Sequence, residues 1–143
     1  DEIHGPVPGL NAALGPSINQ VLGRLPSDTT VERWNWGLAA TSELNLHPDR
    51  RLPAPMTPAK LDSLWLRLEH QALIALPRSG GVLFGIRISL HRLDTLAGAD
   101  AGRGLSRALR SMPPAMAEYK RLEPVRHEIA MALSASGGTR PGK

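Results

Sequence analysis

Apolar and polar positions alternate most regularly between residues 64 and 93, LWLRLEHQALIALPRSGGVLFGIRISLHRL. In the second half of this stretch Val82, Phe84, Ile86, Ile88 and Leu90 fall on one face. Gly85, Arg87, Ser89 and His91 fall on the other, the period-two signature of a strand. In the first half Leu64, Leu66, Leu68, Ile74 and Leu76 share a face, opposite Arg67, Glu69 and Gln71. The pattern predicts two strands joined by a tight turn at residues 77–81, PRSGG. Paired across that turn, they put Arg67, Glu69, Gln71, Arg87 and His91 on a common polar surface. Such a surface is either the solvated face of a sheet or a polar floor beneath a ligand.

The remaining elements follow from the same patterning. Residues 3–9, IHGPVPG, are too punctuated by proline for regular helix or central strand. Ile18, Val21, Leu22 and Leu25 recur at helical spacing from Ser17 until Pro26 stops them. Residues 30–40, TVERWNWGLAA, read as a strand with Trp34, Trp36 and Leu38 on one face and Arg33 and Asn35 on the other. Residues 43–56 carry little periodicity and read as loop. Thr57-Pro58 reads as a helix start, with Leu61, Leu64 and Trp65 on one side. Beyond the hairpin, Asp94 or Asp100 is placed to cap a helix striped by Leu105, Ala108, Leu109 and Met112. Pro113-Pro114 breaks it, and a further helical stretch bears Met116, Tyr119, Leu122, Val125, Ile129 and Leu133, kinked or split at Pro124. The expectation is an α+β fold, an antiparallel sheet of about three strands packed with helices. Residues 1–135 are expected to form part of one domain, and residues 136–143 a flexible tail.

Composition narrows the function classes. At 143 residues with 41% hydrophobic residues the chain can bury a core. Thirteen prolines and fourteen glycines indicate many short elements and ordered loops. No run of about eighteen apolar residues is present, so no membrane span is expected. The first residue is Asp1 rather than Met, and the chain reads as a piece of a longer polypeptide. Cysteine is absent, which removes disulfides, thiolate metal ligands and a Cys nucleophile and is compatible with the cytoplasm. The net charge of +4 raises nucleic acid as a partner, but the charges are scattered among acids and few aromatics are available for stacking. No nucleic-acid role is expected.

Catalytic signatures are sparse. His4, His47, His70, His91 and His127 lie far apart, with no metal-binding spacing among them. No G-x-S-x-G elbow supports a serine nucleophile, and Gly98, Gly102 and Gly104 do not form a phosphate loop. What stands out is the polar sheet face, the ERWNW segment and the turn at His4.

These features occur together in a known order. IHGPVPG, the later R-x-N-W (Arg33, Asn35, Trp36), the run from Leu66 to Arg87 containing LPRSG and FGIR, and the M-A-x-YK motif at residues 116–120 follow one another along the chain. The sequence thereby resembles the C-terminal half of the haem-dependent oxidative N-demethylase family, its alpha subunit with a PAS-like haem domain. The resemblance covers about residues 3–122. The chain departs from the family pattern at His70, Gln71, Ala72, Gly85 and Ser89, which bears on substrate identity more than on fold.

The resemblance implies a PAS-like fold enclosing haem b, and N-demethylation of a small methylated secondary amine such as dimethylamine. Oxygen and NADPH-derived electrons, delivered through a flavin-bearing reductase subunit, would drive this monooxygenase reaction and release formaldehyde. A tetrahydrofolate-binding subunit would capture the formaldehyde, making the assembly a hetero-oligomer. The N-terminal half of the same protein would complete the domain. Haem iron takes a His, Met, Tyr or Cys axial ligand, and His4 matches the family histidine before the PVP turn. A surface turn residue is the alternative for His4. Arg33, Arg87 and Arg78 are candidates for the haem propionates, against ordinary ion pairs with Glu69. Glu69 would hold a protonated amine or relay protons, or else pair with Arg67 or Arg87. Asn35 and Trp36 would shape the distal pocket, with plain core the alternative for Trp36. A non-catalytic haem PAS sensor is the rival reading of the same fold.

Overall fold

The computed structural model describes residues 20, 23–26 and 30–135. His4, most of the helical pattern at residues 17–25 and the tail at residues 136–143 lie outside the described residues. Within them the order is strand β1 (Thr30–Ala39), β2 (Trp65–Leu76), β3 (Gly81–Arg92), then helices α1 (Leu93–Leu96), α2 (Asp100–Ser111), α3 (Pro114–Tyr119) and α4 (Arg126–Ala135). Short 3-10 turns stand at Pro48–Arg50 and Leu61–Ser63. The sheet order is β1-β2-β3, so β1 and β3 are its edges. This is the α+β arrangement expected from the patterning.

The strands pair antiparallel. Arg33 bonds to Gln71 and Asn35 to Glu69, so position falls on β2 as it rises on β1. Across the hairpin, the Leu93 amide donates to the Leu64 carbonyl at 2.9 Å, and Leu76 and Gly81 end their strands on either side of the turn. The turn is therefore residues 77–80, closed by the Gly80 amide on the Leu76 carbonyl at 2.9 Å, with Gly80 at φ +67°. It is one residue shorter than the alternation suggests, because Gly81 already belongs to β3.

That single residue reverses which rows share a face. Glu69 and Gln71 stand opposite Ile88 and Ile86, and share their face with Val82 and Phe84. Arg87 and His91 lie on the other face, with His70 and Leu66. The expected common surface of Arg67, Glu69, Gln71, Arg87 and His91 is thus not formed.

By their contacts the described residues divide into two compact units. One comprises the residues up to Trp36 together with Leu68–Ser89. In it Trp34, Leu83, Phe84 and Ile86 are exposed, the last two on the face that carries Gln71. The other unit comprises Gly37–Arg67 and the chain from Leu90 onward. Its core is Leu93, Leu109, Leu122, Val125, Ile129 and Leu133, all fully buried. Each such side chain contributes about 1.5–3 kcal/mol of burial free energy.

The helices of this second unit form where the apolar stripe predicted them. Leu105 and Leu109 on α2 and Met112 at its C-cap are buried, and α2 packs on α4. Ser106 Oγ donates to the Ala130 carbonyl at 2.7 Å, joining the two helices. Gly102 permits a close approach, since a Cβ there would sit 2.1 Å from the Leu96 carbonyl oxygen of α1. α2 ends at Ser111 because Pro113 and Pro114 cannot continue it, and Pro114 opens α3. The predicted split at Pro124 falls between α3 and α4. Asp100 lies in the first turn of α2 without a capping bond from its side chain, where its charge still complements the helix dipole.

One expected helix is absent. After Thr57-Pro58 only the turn Leu61–Ser63 winds up, and Trp65 opens β2. Leu64 is buried and pairs with Leu93, so cross-strand bonding outweighs the local helical spacing.

Candidate functional site

The alternation on β1 and β2 brings four polar side chains together on one face of the first unit. Arg33 Nε donates to Gln71 Oε1 at 2.6 Å. Gln71 Nε2 in turn donates to Glu69 Oε2 at 3.1 Å, and Asn35 Nδ2 donates to the same oxygen at 3.4 Å. The sequence makes this possible because positions two apart on a strand point the same way, and β1 pairs with β2 residue for residue. Gln71 is 6% exposed, so both ends of its amide must be satisfied. A cation on its oxygen and a carboxylate on its nitrogen do so, and they fix which way the amide points.

The chemistry of this cluster is directional. Arg33 supplies positive charge at one end and Glu69 negative charge at the other, with a neutral amide as the relay between them. Glu69 is half-buried and held by two donors, a position suited to binding a cationic amine or passing a proton. Along the same face, β3 offers Phe84, Ile86 and Ile88, an apolar surface beside the polar cluster.

The opposite face carries a second group. Trp34 stacks on His70 with ring centroids 4.4 Å apart and planes 11° from parallel. His70 Nε2 lies 3.0 Å from Glu32 Oε2, an ion-pair distance whose angle is too poor for a hydrogen bond. Trp34 is 65% exposed, so stacking rather than burial holds its ring.

The residues singled out from the sequence divide accordingly. Arg33, Asn35 and Glu69 come together, joined through Gln71. Trp36 points to the opposite face of β1 from Arg33 and Asn35, as the alternation predicted, and is half-buried. Arg87 is removed from Glu69 by the register and shares a face with His70. Arg78 is exposed in the hairpin turn. Arg67 donates from Nη1 to the Leu44 carbonyl at 3.0 Å. His4 lies outside the described residues. Among the described residues no group of three or more His, Cys, Asp or Glu side chains is arranged to hold a metal ion. Nor is any helix among them long and apolar enough to cross a membrane.

Two features escaped the sequence reading. Gln71 appeared only as one polar position among several: the strand spacing put it on the face of Glu69, but its bond to Arg33 depends on β1 pairing with β2. The Trp34–His70–Glu32 group required knowing that β1 lies beside β2, which no local signal states. The sequence model of the family described as haem-dependent oxidative N-demethylase, alpha subunit-like, matches residues 1–130. That span contains every strand among the described residues and the whole polar cluster, and it covers most of the 143 residues. The chain therefore belongs to the haem-dependent oxidative N-demethylase alpha subunit-like family.

Proposed function

We propose that this chain is part of an enzyme that oxidatively N-demethylates a small methylated secondary amine of the dimethylamine type. The observation that carries the reading is the Arg33–Gln71–Glu69–Asn35 chain of hydrogen bonds beside the apolar row of β3. Haem is an apolar disc with two carboxylates at its edge, and this face offers both kinds of surface. Phe84 and Ile86 are exposed on it, and Arg33 is a guanidinium with its terminal nitrogens unbonded among the described residues. In this respect the face suits the group: Arg33 would hold a propionate, and His4, outside the described residues, would be the iron ligand.

When bound, haem would supply the oxidation chemistry, in which O2, two electrons and two protons turn the N-methyl amine into the demethylated amine, formaldehyde and water. The protein residues do the rest. Glu69 binds the substrate ammonium and takes its proton, so that nitrogen is neutral when its methyl group is oxidised. Asn35 and Gln71 hold the Glu69 carboxylate in place, and Arg33 keeps Gln71 oriented. Arg78, in the hairpin turn, and Trp36 and Arg87, on the opposite sheet face from Glu69, are assigned to the cofactor's surroundings.

The electrons come, in this proposal, from an NADPH-dependent flavin reductase subunit, and a tetrahydrofolate-binding subunit takes up formaldehyde, in the cytoplasm. The N-terminal half of the same protein covers the exposed face of β3.

The test is reconstitution with haem and the reductase partner, reading the Soret band and dimethylamine-dependent formaldehyde release. We expect His4→Ala to lose or shift the Soret band. Glu69→Gln is expected to keep the band and lower turnover by about 10²–10⁴-fold. Failure to take up haem with the N-terminal half supplied would overturn the proposal.

A further inference from the structure

The second unit contains a pocket of about 290 Å³ whose charge is one-sided. Its lining includes His47, Arg51, Lys120 and Arg121 and no carboxylate, while Leu46 and Leu52 belong to its apolar wall. The Asp49 carboxylate, almost fully exposed, lies 3.6 Å from His47 Nδ1. His47 Nδ1 accepts from the Asp49 amide at 3.4 Å, which leaves Nε2 as the donor of the neutral ring. The Arg51 and Arg121 guanidinium groups have no ion-pair or hydrogen-bond partner among the described residues.

The backbone singles out the same two arginines. Arg51 has φ 48° and Arg121 has φ 56°, and among the described residues they are the non-glycine residues with positive φ. Arg51 ends the 3-10 turn Pro48–Arg50, its amide bonded to the Pro48 carbonyl at 3.0 Å. Arg121 follows α3, where the Leu122 amide reaches the Ala117 carbonyl at 2.7 Å and the Arg121 amide reaches Glu118 at 2.9 Å. This is the helix ending at which glycine is usual. Two tight stops that favour glycine thus carry arginine instead, and both line one pocket. Non-glycine residues held in such conformations cluster at functional sites.

We propose that this pocket binds an organic acid. Its carboxylate would lie against Arg51 and Arg121, and its apolar body against Leu46 and Leu52. Arginine forks match a carboxylate with two parallel hydrogen bonds, and the apolar wall distinguishes an organic acid from an inorganic anion. The site does not depend on the N-demethylation proposal, since its residues lie apart in sequence from Arg33, Asn35, Glu69 and Gln71.

The probes are octanoate and inorganic phosphate, titrated calorimetrically into the full chain at low and high salt. Octanoate is expected to bind more tightly than phosphate, and more weakly as salt rises. The decisive variant is the double substitution Arg51→Gly and Arg121→Gly. Glycine suits both backbone conformations, so Tm should hold or rise while octanoate affinity falls by about tenfold or more. Haem titrated alongside distinguishes two sources of carboxylate. Competition with octanoate would place a haem propionate in this pocket, and independent binding would indicate a separate acid; both support a carboxylate site. Octanoate binding unchanged by the double variant, or no stronger than phosphate binding, would overturn the proposal.

Discussion

Gln71 stands between Arg33 and Glu69, accepting from one at 2.6 Å and donating to the other at 3.1 Å. A buried neutral amide thereby connects a cation on the edge strand to a carboxylate on the central one. Its two polar ends match the two charges, so neither end can be exchanged without leaving a group unpaired.

Replacing Gln71 with Leu keeps its size and removes both bonds. We expect a loss of about 1–3 kcal/mol in chemical denaturation, the cost of leaving partly buried partners unsatisfied. Gln71→Glu should also destabilise at neutral pH, since it sets a second carboxylate beside Glu69, and should recover as the pH is lowered. A variant as stable as the parent at neutral pH would show that the relay contributes nothing.

Gly102 tests packing against intrinsic propensity. Propensity alone favours Gly102→Ala by about 1 kcal/mol within a helix. A Cβ at that position would meet the Leu96 carbonyl oxygen at 2.1 Å, so backbone must move. The variant is therefore expected to be destabilised by about 1–3 kcal/mol, read as a lower Tm. A rise in Tm would mean that α1 yields without cost.

Arg92 and Asp94 form a two-pronged pair, Nε to Oδ1 at 3.0 Å and Nη2 to Oδ2 at 2.6 Å. The hydrogen bonds from Arg92 hold the Asp94 carboxyl below its ordinary value, and those to Asp94 raise the Arg92 guanidinium. A carboxyl depressed on folding adds stability above its unfolded pKa and loses it as pH falls through the folded one. Carboxyl chemical shifts should therefore place the Asp94 titration below that of ordinary aspartates. Arg92→Gln should return it upward; an Asp94 midpoint indifferent to this change would refute the pairing.

Arg126 is 8% exposed and donates from Nη1 to the Met112 carbonyl at the end of α2. Its Nε lies 3.1 Å from Glu123 Oε2, at an angle outside hydrogen-bond geometry. The cation also faces the negative end of the α2 dipole. Arg126→Ala should cost about 1.5–3 kcal/mol in denaturant titration. Arg126→Lys should recover only part of it, because one ammonium cannot reach the Met112 carbonyl and the Glu123 carboxylate from two separate nitrogens. Full recovery by lysine would reduce the interaction to charge alone.

The chain's local patterning determined a good deal. The strands at Thr30–Ala39 and across the hairpin, the stripe of Leu105, Leu109 and Met112, and the breaks at Pro113, Pro114 and Pro124 are written in alternation, helical spacing and proline placement. These signals are short-range, and each acts within a few residues of itself. The spaced motifs likewise pointed to the family that the match over residues 1–130 shows. Arg33 and Asn35 were also assigned to one face of β1 by parity alone.

Tertiary structure decided how those faces combine. Parity within a strand says nothing about parity between strands, which hangs on whether the turn has four residues or five. Gly81 belongs to β3, and this places Glu69 with Ile86 and Ile88 rather than with Arg87. The same limit explains the helix expected after Pro58, where Leu64 pairs with Leu93, twenty-nine positions away in sequence. It also explains why Arg51 and Arg121, seventy positions apart, were unremarkable until the fold brought both to one pocket. Contacts between distant segments depend on closing long loops, and no local pattern records which loop closes on which.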